Sequence, residues 1–442
     1  MTVANISKTH RTRHAILAGR ALILMLLLLI IEGALRKWVS SGLTVPLIGL
    51  RDILAAASIL YAWRWGFLTL RKSINILLCS WVCVVFAWGA IQLLLGQSSP
   101  LLLAIGLRFW CLYLAFGIAI GQMMDRDGFR IFLKVSLWTI ALLAPLVIIQ
   151  FLSPQGAFIN RQVDGDEATV FTSALGIVRT TGTFSFTLGF TTLLGLLTPL
   201  ALGCFMEYRN LLISGRLATA GLIGIAIGSS VSGSRAAIIF FGIMILASTF
   251  SGLLIYKGLT KKKALAMLAG AIFFTVISTA LLPDIVASMQ ARFEQASDSE
   301  DFLERIATIF IGDRFSHEIT TWLGMGIGSG SALASYVSTG ERMFLAGEAE
   351  SGRILAEGGV AGGIFILLKV VLSMVCLVRA IRMSFLSRSA LPTLVWCGFL
   401  VALFTWPATL QLTSHGIFAI YVAIALLVLR RNIFTETRTL AE

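Results

Sequence analysis

The sequence predicts an all-α polytopic integral membrane protein with about 12 transmembrane helices and one large extracytoplasmic loop containing amphipathic helices. Three observations carry that prediction. Of 442 residues, 57% are hydrophobic and only 13% are charged, against about 25% charged in soluble domains. Apolar runs of about 20 residues, the length that crosses a hydrocarbon core, recur along the chain. Polar residues collect in one passage, from Pro283 to Gly363. The expected organisation is a single integral membrane domain: spans over 1–283, a polar loop over 284–352, and further spans over 353–442.

Twelve spans are predicted in order, over 17–35, 45–63, 74–95, 101–123, 131–152, 184–206, 217–231, 234–256, 264–283, 355–378, 391–410 and 415–429. The first follows a basic N-terminus and runs into Glu32-Gly-Ala-Leu-Arg-Lys-Trp with no small-residue cleavage site, so it reads as a retained signal anchor. The Glu32–Arg36 pair, spaced i,i+4, and Trp38 read as its interfacial anchor. The seventh span is short, and the last two divide near Gln411-Leu-Thr-Ser. All six cysteines (79, 83, 111, 204, 376 and 397) fall inside apolar runs. They are expected to be small core hydrophobes rather than a disulfide or metal framework.

Lysine and arginine in short loops set orientation. With both termini in the cytoplasm, the inner loops collect Lys8, Arg11 and Arg13; Arg64, Arg71 and Lys72; Arg126 and Arg130; and Arg209 and Arg216. They also collect Lys257 with Lys261, Lys262 and Lys263; Arg379, Arg382 and Arg388; and Arg430 and Arg431. The net charge of +13 is therefore a cytoplasmic rim and not a nucleic-acid surface. The same orientation places 153–183 and the long polar loop outside. In that loop Ile285, Met289 and Phe293, then Phe302, Ile306, Ile309 and Phe310, recur at helical spacing, which predicts amphipathic helices along the membrane surface.

Eleven arginines break the positive-inside pattern: Arg36, Arg51, Arg108, Arg161, Arg179, Arg235, Arg292, Arg305, Arg314, Arg342 and Arg353. Arg51 and Arg108 fall within spans, where an arginine costs at least about 2.5–3.5 kcal/mol at the bilayer centre. For each taken alone, a structural reading, in which it snorkels outward or pairs with an acid such as Glu32 or Asp52, stands level with a ligand-binding one. With Arg179 and Arg235 at outer helix ends, several guanidiniums crowd one face. Guanidinium forks match phosphate geometry and stay protonated, so a membrane-embedded polyanion such as a lipid-linked diphosphate is the expected ligand.

Four motifs then carry a family resemblance. Arg179-Thr-Thr-Gly-Thr-Phe, Ser232-Gly-Ser-Arg-Ala-Ala, Glu304-Arg305 followed by Leu323-Gly-Met-Gly-Ile-Gly-Ser, and Leu355-Ala-Glu-Gly-Gly-Val-Ala-Gly occur in that order. Together they resemble the O-antigen ligase and polymerase superfamily over about 150–370. The resemblance implies an undecaprenyl-diphosphate-linked oligosaccharide as donor, glycosyl transfer on the periplasmic face of the bacterial inner membrane, and no metal or other cofactor. It also implies Arg179, Arg235 and Arg305 as donor-diphosphate ligands, and a flippase and a chain-length regulator as partner proteins; the crowding of guanidiniums adds Arg51 and Arg108 as further candidates for the diphosphate. One departure matters. Ligases of this family place a histidine about nine residues before the motif glutamate, whereas here Glu348 stands nine before Glu357, with Glu350 nearby. That favours polymerisation of an exopolysaccharide or surface glycan over ligation to lipid A core.

Glycosyl transfer to a hydroxyl needs cations for the departing diphosphate and a group to accept the proton. Glu348 and Glu350 are the first candidates for that base, set against the reading that both are loop acids paired with Arg342 or Arg353. His317, followed by Glu318, is the third candidate, and a surface or packing role is its alternative. The glycine ladder over 324–330 either presents backbone N–H groups to phosphate or makes tight turns. Two other functions stay open: a ligase with a different acceptor, and a secondary transporter of an anionic solute. A transporter predicts inverted repeats and discontinuous helices, and the sequence displays neither.

Overall fold

The computed structural model describes residues 3–163, 178–256, 259–281, 302–312, 321–331, 333–334, 350–406 and 411–434. Glu348 and His317 lie outside the described residues. Among those described, the chain is a bundle of helices without a strand. In chain order these are α1 (Val3–Trp38), α2 (Thr44–Arg64), α3 (Ser73–Leu94), α4 (Pro100–Leu107), α5 (Tyr113–Met123), α6 (Arg126–Leu152), α7 (Thr187–Glu207) and α8 (Gly215–Val231). They continue with α9 (Arg235–Ile255), α10 (Leu259–Leu281), α11 (Phe302–Ile311), α12 (Glu350–Ser387), α13 (Leu391–Thr405) and α14 (Leu412–Leu427). Over the described residues each predicted span overlaps one of these helices, the fourth overlapping α4, α5 and the five residues 108–112 between them. Among the described residues, eight candidate spans are long and apolar enough to cross a membrane, and α8, α13 and α14 are shorter apolar helices.

Helix starts follow local chemistry. The side chains of Ser99, Asp125, Ser214 and Ser234 accept hydrogen bonds from the backbone N–H three residues on, beginning α4, α6, α8 and α9. Such caps satisfy donors that a helix start leaves open. α7 is the axis of the bundle, 83% buried, and α8, α9, α13 and α14 pack around it. α5 meets α14 backbone to backbone. A Cβ on Gly117 would stand 2.7 Å from the Ala419 carbonyl and one on Gly121 2.8 Å from that of Ala423. Small residues four apart permit such close crossing in membranes, where van der Waals packing holds helices together.

Contacts join the basic loops at one end of the bundle. Arg430 donates to the Gly121 and Met124 carbonyls, Lys72 to Gln122 Oε1, and Arg126 to the Asn210 carbonyl. Two expectations are corrected. The tenth predicted span begins earlier, at Glu350, and is broken at Gly359 (φ 52°, ψ −125°). The chain folds back there so tightly that a Cβ on Gly362 would stand 2.2 Å from the Ile354 carbonyl. Segments 350–358 and 360–387 thus lie side by side. Cys79 and Cys83 are exposed rather than core residues, because α3 is a peripheral helix, 22% buried. The predicted 302–310 pattern is the helix α11, and its Phe310 ring packs 5.2 Å from Phe404.

Candidate functional site

The two arginines predicted inside spans are both ion-paired. Arg51 is fully buried, with Nε 3.1 Å from Glu32 Oε2, and Glu32 Oε1 also receives Arg36 at 3.2 Å. Arg51 Nη1 further donates to the Leu412 carbonyl at 3.4 Å. Arg108 opens a five-residue π-helical segment, Arg108–Leu112, between α4 and α5. It grips Asp52 with two bonds, Nε to Oδ2 at 2.6 Å and Nη2 to Oδ1 at 2.9 Å, and the Tyr113 hydroxyl donates to the same carboxylate at 2.7 Å. Such π segments are rare and concentrate at functional sites. Here the carbonyl of Trp110 within the segment accepts from Trp81 Nε1 at 3.1 Å. Pairing of this kind offsets the cost of two charges in a low-dielectric bundle.

The loop that carries Arg179 packs on the turn that leads into α9, whose first residue is Arg235. The Arg179 stem lies against the turn leading into α9, so that a Cβ on Gly233 would stand 3.0 Å from Arg179 Cγ. Thr180 Oγ1 donates to the Val231 carbonyl at 3.1 Å, clamping the two loops together. Lys37, at the end of α1, reaches the same loop. Lys37, buried to 2% exposure, donates to Thr181 Oγ1 at 2.7 Å and to the Gly182 carbonyl at 3.3 Å. No carboxylate among the described residues lies within ion-pair distance of it. Arg305 sits in the first turn of α11, and its side chain lies outside the description.

The glycine ladder is an internal anion site rather than an open one. Glu357 Oε2 accepts from Gly328 N at 3.0 Å and from Trp110 Nε1 at 2.8 Å, and Oε1 accepts from Gly330 N at 3.0 Å. Arg353 Nε stands 3.8 Å from the same carboxylate. Gln92 completes the seat: its amide nitrogen donates to the Leu323 and Glu357 carbonyls, and its oxygen accepts from Ile327 N. A concave run of backbone N–H groups attracts an anion, and a carboxylate of the chain itself occupies this one.

Glu350, the described member of the predicted bases, lies at the mouth of α12. It is 6% exposed and stands 3.4 Å from Arg353 Nη2, so it is a buried paired acid and not a solvated one. It lines an apolar cavity of ≈280 Å³ walled by α3, α5, α12, α13 and α14. Lys369 and His415, 8% and 4% exposed, line the same cavity. Lys369 Nζ stands 5.2 Å and 5.8 Å from the Phe404 and Phe365 ring centres, placing an ammonium on aromatic faces. The His415 ring meets the edges of Phe109 and Tyr113 at 5.1 Å and 4.8 Å.

Sequence reasoning missed Lys37, Lys369 and His415. Lys369 had a signal: it is the one charged residue between Glu357 and Arg379, and a charge inside a span marks function by default. His415 opens the last predicted span, where nothing in the sequence distinguishes a cavity-facing side chain from a packing one. Comparison with models of known protein families and with curated proteins found no match for this chain. The helices and their apolar lengths define its class: an all-α membrane protein.

Proposed function

We propose that this protein is a membrane glycosyltransferase that polymerises polyprenyl-diphosphate-linked oligosaccharide units into a surface or exopolysaccharide. It would cross the bacterial inner membrane twelve times, with both termini in the cytoplasm and the cavity mouth on the periplasmic side. The observation that carries the reading is the cavity: hydrocarbon and aromatic walls with Glu350, Lys369 and His415 set into them. A long prenyl chain with a charged head needs that combination of surfaces. The cations Lys37, Arg179 and Arg235 supply charge for a diphosphate. A series of contacts connects the two places: Lys37 adjoins Arg36, Glu32 joins Arg36 to Arg51, and Arg51 reaches Leu412, three residues before His415.

In the reaction, a hydroxyl of the acceptor attacks the anomeric carbon of the donor sugar. The bond from that carbon to the phosphate oxygen breaks, and the polyprenyl diphosphate leaves with the electron pair. Guanidinium forks stabilise the charge that develops on it. His415 or Glu350 accepts the hydroxyl proton. The cavity is tested by binding of a polyprenyl diphosphate to the purified protein in detergent, followed by native mass spectrometry. Filling the cavity with Leu114→Trp is expected to remove the bound lipid while preserving the folded protein. Equal retention by both proteins would place the lipid elsewhere.

A further inference from the structure

A second concave site lies at the end of the bundle that carries the basic loops, far along α7 from the 178–186 loop. It is a pocket of ≈350 Å³ between the end of α7 and the start of α10, lined by Tyr208, Arg209, Asn210, Thr260, Lys262 and Lys263 above Met206 and Ala266. One aromatic ring organises its charge. Lys263 Nζ stands 4.1 Å from the Tyr208 ring centre and Arg209 Cζ 5.9 Å from it, so two cations share one phenol as their π partner. The hydrogen bond from Arg209, with the nearby Lys263 charge, holds the Tyr208 phenol below its ordinary range, which reports the positive potential there.

The one carboxylate lining the pocket is committed elsewhere. Glu207 Oε1 accepts from Ser389 Oγ at 3.0 Å, from the Ala390 backbone N–H at 2.8 Å, and from the Tyr256 hydroxyl. Its bonds tie the end of α7 to the α12–α13 connection. Orientation in a membrane requires basic loops, but it does not require a concavity with an apolar floor, a hydroxyl, an amide and three cations around its rim. Basic pockets of this form between transmembrane helices suit phosphate head groups.

We propose that this pocket binds a phosphate group, carried by an anionic phospholipid or free in solution, through Arg209, Lys262 and Lys263. The site is separate from the glycosyl-transfer reading and stands or falls without it. The test uses the full-length protein in nanodiscs of phosphatidylcholine, titrated with phosphatidylglycerol or with inorganic phosphate and read by native mass spectrometry. The wild type is compared with an Arg209→Gln, Lys262→Gln, Lys263→Gln triple variant and with the single Lys262→Gln variant. The control is an Arg379→Gln, Arg382→Gln, Arg388→Gln variant, which removes the same charge elsewhere on the basic end.

Loss of at least about tenfold in phosphatidylglycerol affinity in the triple variant, a smaller loss in Lys262→Gln and none in the control would support a lipid head group. The same pattern for inorganic phosphate, without preference for the lipid, would support the site with a soluble ligand. No binding of either probe to the wild type, or equal losses in the pocket and control variants, would overturn the proposal. If the triple variant does not fold, the single variant decides between these outcomes.

Discussion

Gly330 N donates to Glu357 Oε1 across 3.0 Å, fastening a glycine-rich segment of the long polar loop to the interior of a membrane helix. With the bonds from Gly328 and Trp110 and the ion pair with Arg353 at the same carboxylate, Glu357 holds the loop, the π segment and α12 together. The fold-back of α12 at Gly359 is part of that seat, because Val360 N donates to the Trp322 carbonyl at 3.1 Å beside it.

Glu357→Ala is therefore expected to destabilise the protein strongly. Removing one partner of a buried charge cluster costs about 3–5 kcal/mol, and two backbone donors lose their acceptor as well. Glu357→Gln keeps an oxygen for the backbone donors and should be milder. Thermal unfolding in detergent checks this: Tm should fall in the order wild type, Gln, Ala. An Ala variant as stable as the wild type would remove Glu357 from its place at the centre of the seat.

Gly359→Ala tests the fold-back. A non-glycine residue held in so sparsely populated a backbone conformation costs about 1–3 kcal/mol, and a Cβ there would stand 2.2 Å from the Trp322 carbonyl. The expected result is a lower Tm and faster proteolysis of the 320–360 region, compared with Gly363→Ala as a control. Equal behaviour of the two variants would mean that segments 350–358 and 360–387 do not pack as a hairpin.

Much of the architecture was legible because bilayer thickness dictates helix length, so apolar runs such as 74–95 and 184–206 mark α3 and α7 closely. The pairing of Arg51 with Glu32 and of Arg108 with Asp52 was legible as one of two options, since a buried guanidinium needs an acid. The fold-back at Gly359 was not, because Leu355-Ala-Glu-Gly-Gly-Val reads as continuous helix until the carbonyl of Trp322, some forty residues away, claims the Val360 N–H. The cavity was hidden for a similar reason. Glu350, Lys369 and His415 belong to two helices, and only the hairpin and the α5–α14 packing bring them to one space.

His415→Gln and Glu350→Gln separate chemistry from packing. Loss of a general base lowers a rate by about 10²–10⁴. Whichever residue accepts the proton should show that drop in glycan elongation at a temperature where the variant stays folded, while the other retains most activity. Normal elongation by both single variants and by the double variant would remove these two residues from the reaction. Glu348 and His317 would then be the next to replace.

Arg179→Lys keeps the charge and removes the fork. Charge-assisted hydrogen bonds contribute about 1.5–3 kcal/mol, so elongation is expected to slow by about 10–100-fold. Lys37→Met, which removes a buried amine that donates to a hydroxyl and a carbonyl and lies over the Trp38 ring, should weaken binding of polyprenyl diphosphate without lowering Tm. Undiminished binding in Lys37→Met would show that this ammonium serves the fold alone.

The most direct measurement is elongation by the purified full-length protein in detergent, supplied with a polyprenyl-diphosphate-linked oligosaccharide as both donor and acceptor and with no nucleotide sugar. Product length is resolved by gel and mass spectrometry, alongside uptake of an anionic solute into proteoliposomes. The proposal predicts a ladder of products differing by whole repeat units, sensitive to Arg179→Lys and to filling the cavity, with no uptake. Uptake of solute without any lengthening of the lipid-linked oligosaccharide would contradict it.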